Sequence, residues 1–259
     1  MKTHLLLCVC ALSVAVAGVG YAASISTIET QASGTAVTLD TSPVVTAILS
    51  QPGTWNGKTY TGWSFLVQDS TGSIDVFATA TVLSGLSYTP SVGNIITSIS
   101  GSYSPFHQIP EIATPTALTS DGTAGTVPGP VLTTIPAINV ATEPFSTAGY
   151  LLELDNVTIG GISGAFGITN LTGTITDGSS NSMTFYYWPT SYSVSNANLF
   201  GQAIPTSPVN MTGFVSVYNG VAEFTPLTIT TVPEPSTLVL LSAGCAAAAS
   251  MLLRRRAGK

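Results

Sequence analysis

Carboxyl groups are the most numerous chemically active side chains in the central part of this sequence. The chain has 259 residues, of which 24–232 carry eleven acids, one lysine, one histidine and no arginine. Paired carboxyls can cleave glycosidic bonds, and carboxyls beside hydroxyls can bind calcium. These acids stand in turns and at strand ends without the dense spacing of a calcium loop, so we interpret them as solubilising and capping residues. They are Glu29, Asp40, Asp69, Asp75, Glu111, Asp121, Glu143, Glu153, Asp155, Asp177 and Glu223.

Other catalytic residue types are scarce. His107 is the only histidine after the N-terminal segment, and Cys8, Cys10 and Cys245 lie near the chain ends. A central zinc site or cysteine nucleophile is therefore excluded. The sequence also contains no Gly-x-Ser-x-Gly, His-Glu-x-x-His or phosphate-binding glycine loop. We predict a protein that is not an enzyme and that needs no metal or cofactor.

The charge balance argues against nucleic-acid binding. Residues 24–232 have a formal net charge of −10, and Lys58 is their one lysine or arginine. Phosphate backbones are bound by clusters of Lys and Arg side chains, which release counterions. We therefore expect no nucleic-acid partner, whatever fold this region adopts.

Residues 1–23 have the three parts of a secretory signal peptide. Lys2 provides the positive charge, an apolar run covers positions 5–19, and small residues precede a cleavage site between Ala22 and Ala23. We expect export through the Sec translocon. An uncleaved membrane anchor is the alternative.

The C-terminal tail has a different three-part pattern, in which a proline-containing motif precedes an apolar run at 236–253 and an arginine cluster. A helix of that length would be about 27 Å long, close to the thickness of a bilayer's hydrocarbon core. The arginines would hold the end of the chain in the cytoplasm. The motif comprises Val232, Pro233, Glu234, Pro235 and Ser236, and the cluster comprises Arg254, Arg255 and Arg256.

This tail resembles the PEP-CTERM sorting signal of Gram-negative bacteria over residues 232–259, about a tenth of the chain. The resemblance implies recognition by an exosortase, a membrane-embedded cysteine protease-transpeptidase that acts near Pro233, Glu234 and Pro235. It also implies a biofilm-forming or exopolysaccharide-producing bacterium. The protein would be held briefly in the inner membrane and would then reach the cell surface or the extracellular space. An ordinary C-terminal membrane anchor is the alternative.

Between its two ends the sequence predicts β-strands and no strong helix. Short runs rich in Val, Ile, Thr, Phe and Tyr are bounded by Gly, Pro, Ser, Asn and Asp. The first five strands are predicted at 44–49, 63–68, 73–79, 95–103 and 116–118. The second five are predicted at 151–159, 173–176, 182–188, 209–218 and 227–230.

The two sets of strands agree in order and in local sequence. Asp69 and Asp177, 108 residues apart, are predicted to begin equivalent turns in which the Asp bonds its own backbone and a glycine supplies a positive φ. Glu111 and Glu223, 112 residues apart, follow the fourth strand of each set. The similar offset along five elements indicates a duplication.

Five strands with an insertion between the third and the fourth have the order of an OB-fold barrel. The stretch 62–77, together with 92–97 and 108–112, resembles the OB-type modules of exported bacterial proteins. We therefore predict an all-β chain with two tandem OB-like barrels, and a β-sandwich is the alternative. The predicted divisions are a signal peptide at 1–23, an N-terminal segment at 24–39, a first barrel at 40–119, a Gly/Pro linker at 120–139, a second barrel at 140–231 and a sorting signal at 232–259.

Aromatic residues suggest a ligand site on the rim of the first barrel. The loop between the first and second strands and the loop between the fourth and fifth strands share one rim in OB barrels. Aromatic platforms with short polar neighbours are typical of binding pockets. The candidate ligand-binding residues in these two loops are Trp55, Tyr60, Tyr103, Phe106 and His107.

A third aromatic group at 186–188 is predicted to be partly buried, because alternate residues of a strand face opposite sides. Taken together, these features predict an exported, non-catalytic surface or matrix protein with a structural, adhesive or glycan-binding role. Its partner would be an extracellular polysaccharide, presented as neutral sugars, or a surface protein. The alternative function is a secreted polysaccharide-active enzyme or an accessory module of one.

Overall fold

Two five-stranded barrels make up most of the structure, a computed structural model that describes residues 22–55, 58–106, 109–139, 150–188 and 199–232. The elements up to the end of the first barrel include two short helices, α1 (Ile25–Ile28) and α2 (Ala80–Gly85). The strands are β1 (Ala22–Ala23), β2 (Ala36–Leu39), β3 (Val44–Ser50), β4 (Gly53–Trp55), β5 (Lys58–Tyr60), β6 (Gly62–Gln68), β7 (Ser73–Thr79), β8 (Asn94–Tyr103) and β9 (Glu111–Ala124).

The first barrel closes through β3, β6, β7, β9 and β8. Four of the five pairings are antiparallel, and the β7–β9 pairing is parallel. The order first, second, third, fifth, fourth and back to first is that of an OB fold. The helix α2 fills the insertion between the third and fourth strands, and β4 and β5 form a hairpin between the first and second.

The second barrel repeats this order. Its elements are β10 (Val131–Thr133), α3 (Ile135–Asn139), β11 (Leu152–Gly160), β12 (Leu171–Thr176), β13 (Ser182–Tyr187), β14 (Val209–Tyr218) and β15 (Val221–Thr231). The strands β11, β12, β13, β15 and β14 close the barrel, and β13 and β15 form its one parallel pair. The prediction of two OB-like barrels is confirmed, and the β-sandwich alternative is wrong.

The fifth strand of each barrel is longer than predicted. The strand β9 begins at Glu111 and continues to Ala124, inside the predicted linker 120–139. Hydroxyl groups support this extension, because the Thr97 and Thr119 side chains bond to each other at 2.7 Å and Ser120 Oγ donates to the carbonyl of Ile95 at 2.6 Å. Further along, β10 and α3 pack on the second barrel. The predicted linker is therefore reduced to the residues between Ala124 and β10.

The duplicated turns form as predicted, except for the role of their glycines. Asp69 accepts hydrogen bonds from the backbone N–H groups of Thr71 and Gly72, at 2.7 and 3.0 Å. Asp177 accepts from the N–H group of Ser179 at 2.9 Å. Gly72 and the glycine after Asp177 do not have positive φ, so that part of the prediction is wrong. Gly72 is needed for space instead, because a Cβ there would lie 2.6 Å from the Ile25 side chain.

The N-terminal segment is part of the first barrel. Ser24 caps α1, and Ile25 and Ile28 are fully buried in the core of that barrel. The strand β2 pairs with β8, and β1 pairs with β2. A cut between Ala22 and Ala23 would divide β1, and the cleavage site stays a prediction.

Several strands are buried on both faces, because the two barrels pack against each other. In β3, Val45 and Ile48 point into the first core, whereas Ala47 and Leu49 pack between the barrels. Phe214 supplies the matching contact from the second barrel. Continuous apolar runs are typical of strands covered on both sides.

The predicted transmembrane segment at 236–253 lies outside the described residues. Within the part of the chain that the structure describes, no helix is long and apolar enough to span a membrane.

Candidate functional site

A cleft of about 500 Å³ lies between the two barrels and is lined by both of them. This volume is within the range of small-molecule binding pockets. The lining combines carboxyl groups, hydroxyl groups and aromatic rings. The first barrel contributes Ser64, Asp75, Phe77, Phe106 and Glu111, and the second contributes Thr172, Tyr186, Trp188, Tyr218 and Glu223, among others.

Equivalent positions of the duplicated barrels meet in this cleft. Ser64 is paired with Phe77 across the second and third strands of the first barrel. Thr172 and Tyr186 are paired in the same way in the second barrel. Glu111 and Glu223 both lie on the fifth strand, where it runs parallel to the third. Their cross-strand partners differ, because Glu111 is paired with Asp75 and Glu223 with a threonine.

Asp75 and Glu111 form a buried carboxyl pair on the wall contributed by the first barrel. Both residues are less than 10% exposed. Burial raises the pKa of Asp75 to about 7, although both of its carboxylate oxygens accept from the Ser64 hydroxyl at 2.9–3.0 Å. Burial, together with the charge of Asp75, raises the pKa of Glu111 to about 8. At neutral pH the pair therefore retains at least one proton, because two adjacent carboxyls ionise together only at high cost.

The oxygens of Glu111 are not among the fully buried side-chain atoms without a hydrogen-bond partner in the described residues, which belong to Gln68, Tyr88 and Thr225. Glu111 lines the cleft. Its carboxyl can therefore bond to water or to a ligand there, as a donor while it holds its proton and as an acceptor once it is ionised.

The second barrel adds one more carboxyl and a pair of tyrosines. Partial burial raises the pKa of Glu223. The pKa of the Tyr186 phenol is also raised, first by burial and then by the charge of Glu223. Tyr60 and Tyr218 add to this effect, which places both phenols near Tyr186.

Aromatic side chains form the apolar part of the cleft. The Trp188 ring stands edge-on to Tyr186, with centroids 6.2 Å apart, and edge-on to Phe214 at 6.1 Å. Asn170 holds Tyr186 by donating a hydrogen bond to its hydroxyl. Phe106, at 60% exposure, extends a ring from the first barrel. Such edge-to-face packing fixes ring orientations and leaves faces available to a ligand.

The structure separates the five predicted rim residues. Phe106 lines the cleft, and Tyr60 lies close to Tyr186. Tyr103 does not reach the cleft, because its ring is buried in the first core and its hydroxyl donates to the backbone oxygen of Glu29 at 3.3 Å. His107 and the side chain of Trp55 lie outside the described residues.

The third aromatic group divides as strand alternation predicts. Tyr187 is fully buried in the second core, whereas Tyr186 and Trp188 line the cleft. The sequence interpretation missed Asp75, Glu111 and Glu223 as site residues. The duplicated position of the two glutamates was visible in the sequence, but only the packing of the barrels brings them to one cavity.

A second acidic cluster lies where the N-terminal segment meets the first barrel. Burial and the charge of Asp69 raise the pKa of Glu29 to about 7. Burial of Asp69 opposes its ionisation, but hydrogen bonds from Thr41 and Thr71 outweigh this and lower its pKa. Asp69 also accepts from the Ile25 N–H group at 3.2 Å, so this cluster holds the segment in place.

No group of three or more His, Cys, Asp or Glu side chains could hold a metal ion in the described part of the chain. Asp75, Glu111 and Glu223 thus line one cavity without converging on a single point.

Comparison with known proteins identifies the tail. Residues 231–256 match the family model of the PEP-CTERM protein-sorting motif. The tail is therefore a PEP-CTERM signal, and the chain is an exported protein that an exosortase sorts. This match covers the tail alone. Of the motif, the structure describes Val232, which directly follows β15, whereas Pro233, Glu234, Pro235, Ser236 and the arginine cluster lie outside the described residues.

No curated protein matches the chain. Similar solved structures include the p204 HINb domain, with 12% identity and a TM-score of 0.36 over 77% of this chain and 98% of that one. A murine DNA-binding protein bound with double-stranded DNA has 11% identity and a TM-score of 0.39, over 77% and 97%. A replication protein A heterotrimer bound to single-stranded DNA has 12% identity and a TM-score of 0.35, over 82% and 52%. Similarity this low carries no argument about function.

Proposed function

We propose that this exported, exosortase-sorted protein is a non-catalytic glycan-binding protein of the bacterial surface or extracellular matrix, with its binding site in the cleft between the barrels. The observation that carries this proposal is the convergence of aromatic rings and short polar side chains from both barrels on one cavity. Sugar rings stack on aromatic faces, and their hydroxyls bond to carboxyl and hydroxyl groups. The same carboxyls disfavour a phosphate backbone.

The sorting signal supports the location of this activity. The chain passes through the inner membrane and is then released or re-anchored by an exosortase, in a Gram-negative bacterium whose matrix polysaccharide is the partner. If the exported form has an intact mass that still includes residues 236–259, exosortase processing is contradicted.

A glycan array probed with the full-length protein tests the binding proposal. We expect binding to one class of surface polysaccharide, and Phe106→Ala should weaken it about five- to tenfold through loss of one stacking face. Phe200→Ala is the matched control, because Phe200 is also an exposed phenylalanine and does not line the cleft. Equal effects of the two substitutions would place binding elsewhere.

Polysaccharide hydrolysis is the second candidate function, because the cleft contains the carboxyl pair Asp75 and Glu111. A glycosidase places one protonated and one ionised carboxyl on either side of the scissile bond. Here the two residues are neighbours on the same wall, and Ser64 holds both oxygens of Asp75. This arrangement supports binding over hydrolysis. Release of reducing sugar that Glu111→Gln abolishes would establish the enzyme instead.

A further inference from the structure

Carboxyl groups are the only acidic or basic side chains, apart from two phenols, among the described residues that line the cleft. Asp75, Glu111 and Glu223 contribute three carboxyl groups from three strands and two barrels. The titratable groups that face them are the phenols of Tyr186 and Tyr218, on β13 and β14. No described side chain brings a positive charge to the cleft, because 24–232 contains no arginine and the side chains of Lys58 and His107 lie outside the described residues.

This balance restricts the chemistry of a ligand. An ionised carboxylate only accepts hydrogen bonds, and an ammonium group supplies three donors together with the opposite charge. Ammonium groups are also attracted to aromatic faces, which Trp188 and Phe106 provide beside the carboxyls. A ligand that has only neutral hydroxyl groups brings no positive charge to favour ionisation, so the carboxyls would stay protonated.

The arrangement also argues against a bare metal ion. The three carboxyls are not grouped closely enough to hold one cation among the described residues. They are spread along a cavity of about 500 Å³ that also has hydroxyl groups, including Ser64 and Thr172. An extended ligand with both hydroxyl and ammonium groups fits this distribution.

We propose that the glycan bound in the cleft is an amino sugar polymer whose nitrogens are at least partly free of acetyl groups, so that protonated amines pair with Glu111 and Glu223. This inference rests on the proposed glycan-binding function and narrows its ligand class. It replaces the neutral sugars expected from the sequence.

Binding should release protons. In the free protein the carboxyl pair of the first barrel is protonated at about pH 5.5, a pH well below the range in which amines such as the α-amino group lose their charge. Pairing with an ammonium favours the ionised carboxyl, so the carboxyl gives its proton to the buffer. A carboxyl with only a structural role would keep its protonation state when the ligand binds, so its substitution would not change the number of protons released.

The test compares two ligands that differ only in acetylation. Isothermal titration of the full-length protein uses β-1,4-linked glucosamine oligomers and N-acetylglucosamine oligomers of equal length, at about pH 5.5 in buffers of different ionisation enthalpy. We expect the glucosamine oligomer to bind at least about tenfold more tightly and with proton release. Glu111→Gln and Glu223→Gln should each remove most of this preference, and Asp155→Asn, at an exposed carboxyl on β11, should not.

Each other outcome contradicts a different statement. If the acetylated oligomer binds equally well or better, the amino sugar inference is overturned, and glycan binding stands. If neither oligomer binds and no glycan on the array binds, the proposed function fails together with the inference. Circular dichroism of each variant shows whether it is folded. The comparison of the two oligomers is repeated with the double variant Glu111→Gln/Glu223→Gln, in which both side chains keep their shape and lose their charge.

Discussion

Removing the two buried carboxyls of the first barrel should change how the stability of this protein depends on pH. The pKa of Asp75 rises from 3.8 to about 7 on folding, and that of Glu111 rises from 4.5 to about 8. Between about pH 4.5 and about pH 8 the folded chain therefore binds more protons than the unfolded chain at these positions. The free energy of unfolding must fall as the pH rises through that window.

The magnitude follows from the number of protons retained. One proton held only in the folded state changes the free energy of unfolding by about 1.4 kcal/mol per pH unit. Counting a single proton for the pair, stability should fall by about 2.7 kcal/mol between about pH 5.5 and about pH 7.5. For a chain of this size that corresponds to a decrease of about 5–10 °C in the thermal midpoint.

The assay is thermal unfolding, followed by circular dichroism at several pH values, of the wild type and of the variant Asp75→Asn/Glu111→Gln. The stability of the variant should fall less with rising pH, by about the amount given above. The difference in stability between variant and wild type should therefore shift in favour of the variant between about pH 5.5 and about pH 8.5. Glu29 also titrates in this range and contributes equally to both proteins. Asp155→Asn is the control. Parallel curves for the wild type and the double variant would show that Asp75 and Glu111 do not retain protons on folding.

Two further predictions concern packing. Ile28→Ala should lower the free energy of unfolding by about 2–5 kcal/mol, because Ile28 is fully buried where the N-terminal segment closes the first core. Ser26→Ala, on the exposed side of the same helix, should change it little. Chemical denaturation measures both variants, and similar midpoints would show that the segment is not part of the core. Gly213→Ala should prevent or severely weaken folding of the second barrel, because its Cβ would collide with the carbonyl oxygen of Thr225. Gly178→Ala is the control, because a Cβ at Gly178 has open space. Soluble yield and thermal melting are measured for both, and equal values would contradict the close approach of β14 and β15.

Much of the fold could be predicted from local pattern. Strand-forming residues alternate with turn residues, and Asp69 and Asp177 form their turns with neighbouring backbone groups. Those interactions span a few residues and need no tertiary context. The ends of β9 and β15 could not be predicted, because the polar residues there gain strand structure only by pairing with β8 and β14.

The candidate site was less predictable. The sequence predicts Phe106 as a site residue, because the loop between the fourth and fifth strands of an OB barrel lies at one rim, and Phe106 does line the cleft. The sequence predicts Tyr103 at the rim, but Tyr103 is a core residue, because β8 continues to it and its ring points inward. Glu111 and Glu223 looked like ordinary strand-end acids, since nothing local distinguishes a solvated glutamate from one that another domain covers.

Export and sorting, the duplicated all-β architecture and the near absence of positive charge from residues 24–232 can all be read from the sequence alone. These properties depend on residue order, on composition and on contacts within a few positions. The packing of the two barrels through Ala47, Leu49 and Phe214, and the cleft that they enclose, become visible only in the folded chain. Burial raises the pKa of Asp75 and Glu111, and burial depends on surfaces that lie far apart in the chain, so no local pattern reveals these carboxyls as site residues.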